Sequence, residues 1–201
     1  MKNLILFPFL AVAFLVAPLF AAPSPNDAVI TKTVEDLFAA SKKINNPGEQ
    51  KQARAQIEAA LDWDRIAELC MGTSRWKSTA ARSKAEFKRL LKEVILKTAY
   101  SRLDKFWTPD LTYAFQPIQW TGGNAAVPVK FTVKGEPFVL EYFFMKKGGK
   151  WTIFDVSYED VRYSVNINEQ IDEFLKEKSF KDLLGKLRRR LEELETPKKK
   201  G

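Results

Sequence analysis

Apolar positions change period once along this chain, and the change divides it into a helical half and a strand half. From residue 26 to about 44, Val29, Ile30, Val34, Leu37 and Phe38 fall on one helical stripe, with Asn26 or Asp27 available as the cap. Asn45-Asn46-Pro47-Gly48 breaks that helix. A second helix is expected over 49–61, carrying Ile57 and Leu61. A short one follows to Cys70, capped by Asp62 or Asp64 and closed by Met71-Gly72. The longest helix is expected from about Thr79 to Phe106. Its apolar positions include Phe87, Leu90, Leu91, Val94, Ile95, Tyr100 and Leu103, and lysines and arginines decorate the other side.

From residue 111 the period becomes two. Ala125, Val127, Val129, Phe131 and Val133 alternate with Ala126, Pro128, Lys130, Thr132 and Lys134. Gly122-Gly123-Asn124 and Lys147-Gly148-Gly149 read as hairpin turns. The pattern predicts strands near 111–120, 124–134, 136–146 and 150–158, joined as an antiparallel meander. Pro128 argues for an edge strand or a bulge. Helix returns near Asn168. Ser179 and Asp182 form a capping box for a last helix striped by Phe180, Leu183, Leu184, Leu187, Leu191 and Leu194.

The segment Phe138-Val139-Leu140-Glu141-Tyr142-Phe143-Phe144-Met145 is apolar on both faces. Phe138, Leu140, Tyr142 and Phe144 share one side, with Val139, Phe143 and Met145 on the other. Antiparallel strands usually keep one face wet. This one needs two covers: helices on one side, and a second layer, a partner or an apolar ligand on the other, unless it is simply a buried central strand.

Composition narrows the chemistry. The 201 residues suggest one domain, and 45% hydrophobic residues supply a sizeable core. Residues 1–22 read as a secretory signal: Lys2, an apolar run from Leu4 to Phe20, then Ala21 and Ala22 as small residues for cleavage. The alternative is an uncleaved anchor, which Pro8 and Pro18 disfavour. The domain is then 23–195, with a flexible basic tail over 196–201. Cys70 is the only cysteine, so no intramolecular disulfide forms. There is no histidine, which removes the usual general base and the commonest zinc ligand. No cofactor, metal or catalytic residue is expected. A net charge of +8 favours anionic partners such as a phospholipid surface. Arg188-Arg189-Arg190 is offset by Glu192, Glu193 and Glu195, so it reads as a helix face and not a nucleic-acid patch.

The order of the pieces resembles a known family. Gly72 and Trp76 form a Gly-x-x-x-Trp turn before a long helix carrying Phe87, Leu91, Tyr100 and Leu103. Tyr142 follows, then Trp151-Thr152-Ile153-Phe154-Asp155-Val156, Ser157-Tyr158-Glu159-Asp160-Val161, and Asn166, Gln170 and Phe174. Over about 26–194 this resembles the MlaC family of periplasmic phospholipid-binding proteins. It departs where the family often shows Glu-Gly-x-Ser, here Glu159-Asp160-Val161-Arg162.

The resemblance implies an α+β fold, a curved antiparallel sheet of four to five strands backed by helices, with an apolar cavity between them. It also implies a carrier that ferries phospholipid between an outer-membrane lipoprotein complex and an inner-membrane ABC transporter, with transient membrane contact and no nucleic acid. Burying a methylene contributes ~0.8 kcal/mol, so a chain of roughly 16 carbons needs on the order of 10 kcal/mol of apolar contact outside a membrane. A cavity supplies that and a shallow patch does not. The expected lining is Phe115, Val127, Val129, Phe131, Phe138, Leu140, Tyr142 and Phe144 from the sheet, with Val94, Tyr100 and Leu103 from the helix side. Two rivals remain: an enzyme using Asp155 and Glu159, and an adaptor whose core is full.

Overall fold

The computed structural model describes residues 24–196. The expected signal at 1–22 and, apart from Thr196, the expected tail over 196–201 lie outside the described residues. The fold is α+β. Helices α1 (Pro25–Lys42), α2 (Gln50–Ala60), α3 (Trp63–Met71), α4 (Thr73–Ser78), α5 (Ala81–Tyr100) and α6 (Leu103–Phe106) come first. Strands β1 (Thr112–Phe115), β2 (Gln119–Thr121), β3 (Asn124–Val133), β4 (Glu136–Lys147), β5 (Lys150–Tyr158) and β6 (Val161–Arg162) form one antiparallel sheet. Helices α7 (Tyr163–Glu177) and α8 (Phe180–Glu195) close the chain. The sheet order is β1-β3-β4-β5-β6, with β2 also paired to β3.

The helix starts follow capping chemistry. Ser24, not Asn26 or Asp27, caps α1: its hydroxyl accepts from the Asn26 amide while Asp27 accepts from the Ser24 amide. Asn26 and Asp27 are left to accept from the indoles of Trp151 and Trp120, which ties α1 to the sheet. Asp62 caps α3, and Ser179 with Asp182 makes the expected capping box on α8.

Four details differ from the sequence pattern. The helix expected over 79–106 stops at Tyr100, because the Ser101 hydroxyl donates to the Thr98 carbonyl and the chain tightens into a new short helix at Leu103. The strand expected over 111–120 is split by Gln116-Pro117-Ile118 into β1 and β2. The helix expected near Asn168 already begins at Tyr163. Pro128 lies on the internal strand β3 and not on an edge. Its carbonyl accepts from the Gln116 amide, so the side of Pro128 that lacks a donor faces the break between β1 and β2, and the one ladder bond it cannot return falls where that pairing ends.

The inner face of the sheet packs under α1. Ile30, Val34 and Phe38 meet Val127, Val129, Phe131, Tyr142, Phe144 and Ile153. A second cluster joins α3, α5, α7 and α8 around Cys70, Met71, Phe87 and Leu90. A third joins α1, α2 and α5 around Ile44, Ile57, Leu96 and Tyr100. On the opposite side of β4, the guanidinium of Arg162 lies 3.8 Å from the Phe143 ring. It covers part of the second apolar face.

Candidate functional site: an apolar chamber under the sheet

The three apolar clusters do not close on one another completely. Where they meet is a chamber of about 300 Å³. Leu37, Phe38 and Ser41 of α1 and Ile57 of α2 form one side, continued by Leu61. Ile95, Leu96, Ala99 and Tyr100 of α5 form another, followed across the helix break by Leu103, Phe106 and Trp107. Leu140 and Tyr142 of β4 and Val156 of β5 make the sheet wall. A bulge in β5 opposite Phe143 and Phe144 adds one residue between Ile153 and Asp155. It lets Ile153 and Val156 both serve the inner side.

The lining is dry in character. Ser41 is its one aliphatic hydroxyl, and it is engaged: it donates to the Phe38 carbonyl and accepts from the Trp107 indole, both at 2.8 Å. Burial pushes the Tyr142 phenol up and raises Tyr100 to about 12, so both stay neutral at ordinary pH. The Tyr100 hydroxyl has no partner among the described residues. Walls of this composition offer an apolar guest contact with little competition from polar groups. Phe38 sits at its centre of rigidity, in ring contact with Trp107, Tyr113, Phe131 and Tyr142 at 5.1–5.9 Å.

Of the residues expected to line such a space, Tyr100, Leu103, Leu140 and Tyr142 do so together. Val127, Val129, Phe131 and Phe144 lie on the same sheet face but are fully buried in the core beneath α1. Phe115 and Phe138 pack against that core from its margin, Phe138 stacked on Phe131 at 5.4 Å. Val94 faces away, into a cleft between α5, α7 and α8. The α1 contribution was not anticipated, although its stripe was visible. Leu96 was reachable from sequence, since it lies four residues before Tyr100 on the same helical face.

Asp155 and Glu159 are both structurally committed. The Asp155 carboxylate accepts from the Ser164 amide at 3.1 Å, the Ser164 hydroxyl at 2.6 Å and the Val156 amide at 3.0 Å. It thereby caps the start of α7 from β5. Glu159 accepts from the Val139 amide at 3.0 Å. Among the described residues, no group of three or more acidic or cysteine side chains gathers where a metal ion would sit. No helix among them is long and apolar enough to cross a membrane.

A helix-backed antiparallel sheet with an apolar pocket between sheet and helices defines the class of fold, α+β. The chain belongs to the MlaC family, whose pattern it matches over residues 27–189. Its fold is similar to that of the phospholipid-binding protein from Ralstonia solanacearum, solved in complex with a phospholipid. The TM-score is 0.71 at 20% identity, covering 84% of this chain and 98% of that one. No curated protein sequence matches the chain.

Proposed function

We propose that this protein is a non-enzymatic periplasmic carrier of phospholipid. On this reading residues 23–195 form the lipid-binding domain, after an export signal. It takes lipid from an outer-membrane lipoprotein complex, delivers it to an inner-membrane ABC transporter or the reverse, and touches the membrane surface only transiently. The observation that carries the reading is the chamber, whose Ser41 hydroxyl and Trp107 indole are spent on the protein itself and whose walls are otherwise almost entirely apolar. Family membership and the phospholipid in a protein of similar fold support it. Tyr100, Leu103, Leu140 and Tyr142 are assigned direct acyl contact. Val127, Val129, Phe131 and Phe144 hold the wall behind them, with Phe115 and Phe138 at its margin.

At about 300 Å³ the chamber is at the lower limit of the ~300–1,000 Å³ typical of small-molecule pockets. Loading a long acyl chain therefore requires the helices to move off the sheet. The break at Ser101-Arg102 is the natural hinge, because α6 carries Leu103 and Phe106 over the chamber on a separate segment.

The test is lipid extraction and native mass spectrometry of protein exported to the periplasm. Wild type is expected to carry phospholipid. Leu140→Asp, at a half-buried wall position, is expected to lose most of it while keeping a wild-type circular dichroism spectrum. Wild type free of lipid, or Leu140→Asp with full occupancy, would overturn the reading.

A further inference from the structure

A second apolar space lies on the other side of Ile95. It measures about 400 Å³ and runs between α5, α7 and α8. Leu91, Val94, Ile167, Ile171 and Phe174 form its floor. Between it and the chamber is a void of about 70 Å³. That void shares Leu61, Ile95 and Val156 with the chamber, and Ile95 and Tyr163 with the cleft. Ile95, together with Tyr163 at the first position of α7, stands between the two spaces.

The ground outside both openings carries more cations than acids, with Glu192 and Glu193 as the acidic members. Lys186, Arg189 and Arg190 rim the cleft. Arg189 and Arg190 continue into a broad groove with Arg102 and Lys105, which flank the α5–α6 break next to Leu103 of the chamber. Arg190 pairs with Glu193 at 2.9 Å. No ion pair joins Arg102, Lys105 or Arg189 to an acidic group among the described side chains. A glycerophospholipid has this same layout, with two apolar chains leaving one anionic junction.

We propose that the α5–α7–α8 cleft is a second acyl-chain seat, so that one phospholipid straddles Ile95 with a chain in each space and its phosphate against the Arg102 and Arg189 cations. The proposal rests on the phospholipid-carrier reading and assigns it a two-compartment site. The cleft more than doubles the room available, which the chamber alone lacks for two chains. The cations hold the phosphate by charge-assisted hydrogen bonds without burying it. Exchange of the lipid then needs Tyr163 and Ile95 to part.

The experiment loads the full protein from vesicles with a phosphatidylglycerol carrying a diazirine on each acyl chain. Native mass spectrometry selects the complex holding one lipid, and adducts are mapped by peptide sequencing after irradiation. Adducts are expected both near Leu103 or Leu140 and near Val94, Ile167 or Phe174. Adducts confined to either space overturn the proposal and leave lipid binding standing, whereas no adducts anywhere overturn both. Val94→Trp, at a half-buried cleft position, is expected to cut cleft adducts at least fivefold and spare those of the chamber. Undiminished cleft adducts in that variant count against the proposal.

Discussion

Gly72 shows how much a single residue can fix. It ends α3 and begins α4 at φ 84° and ψ 130°, a conformation that side-chain-bearing residues rarely adopt. A Cβ there would come within 3.0 Å of the Asn168 amide nitrogen, which donates to the Cys70 carbonyl. The glycine thus serves the turn and the approach of α7 together. Gly72→Ala is expected to destabilise by about 2 kcal/mol or more, read as a lower midpoint in urea unfolding. The opposite case is Asp160. Glu159 and Asp160 both have positive φ, 47° and 65°, in the two-residue turn between β5 and β6. The other two-residue hairpin turns of the sheet put glycine at the second position. Asp160→Gly should therefore stabilise by up to about 1 kcal/mol, measured in the same way, provided the turn keeps its geometry. Gly72 was legible in the sequence as a helix end, but its contact with α7 was not, because Asn168 is ninety-six positions away and nothing local announces it.

At the scale of elements, periodicity predicted the strands and long helices and failed at their junctions. The β3–β4 hairpin and the stripe of α8 follow directly from alternation and from leucine spacing. The end of α5 does not, because Tyr100, Leu103 and Phe106 keep a helical spacing across the break and only the Ser101 hydroxyl signals it. The same blindness affected the site. An apolar position such as Val94 can serve either flank of α5, and which one depends on where α7 and α8 dock. The docking of α7 in turn depends on Asp155. Its carboxylate satisfies the Ser164 amide in the first turn of the helix, is only 5% exposed, and has Arg162 at 3.7 Å. Asp155→Asn keeps the shape but loses the charge and one acceptor. It should cost roughly 1–3 kcal/mol and loosen α7 selectively, seen as faster amide hydrogen exchange at residues 163–168 than in α1. Equal exchange in both helices would mean that Asp155 stabilises the whole fold and not this anchor.

For the molecule as a whole, an apolar interior that buries a thiol and two phenols makes the protein sensitive to alkali. Desolvation raises the Cys70 thiol from 9.0 to about 12 and the Tyr100 phenol from 10.0 to about 12, and pushes Tyr142 in the same direction. In the unfolded chain these groups lose their protons at their ordinary values, while the folded chain retains them. Above pH 9 the unfolded state therefore binds fewer protons, and unfolding becomes easier as pH rises. Lys147 acts in the same sense. Its hydrogen bond to Asp62 raises its pKa above 10.5, so the stability it adds is present below that value and is lost as pH climbs through the folded one. The unfolding free energy should be flat from pH 7 to about 8.5 and fall between pH 9 and 11, by up to ~1.4 kcal/mol per pH unit for each proton difference at a buried group, with the melting temperature falling alongside. Tyr142→Phe removes one of these protons from the chamber wall, so its melting curve should fall less steeply over that window and differ little near pH 7. A slope identical to wild type would show that the Tyr142 phenol ionises as freely in the folded protein as in the unfolded chain, and that water reaches the chamber wall.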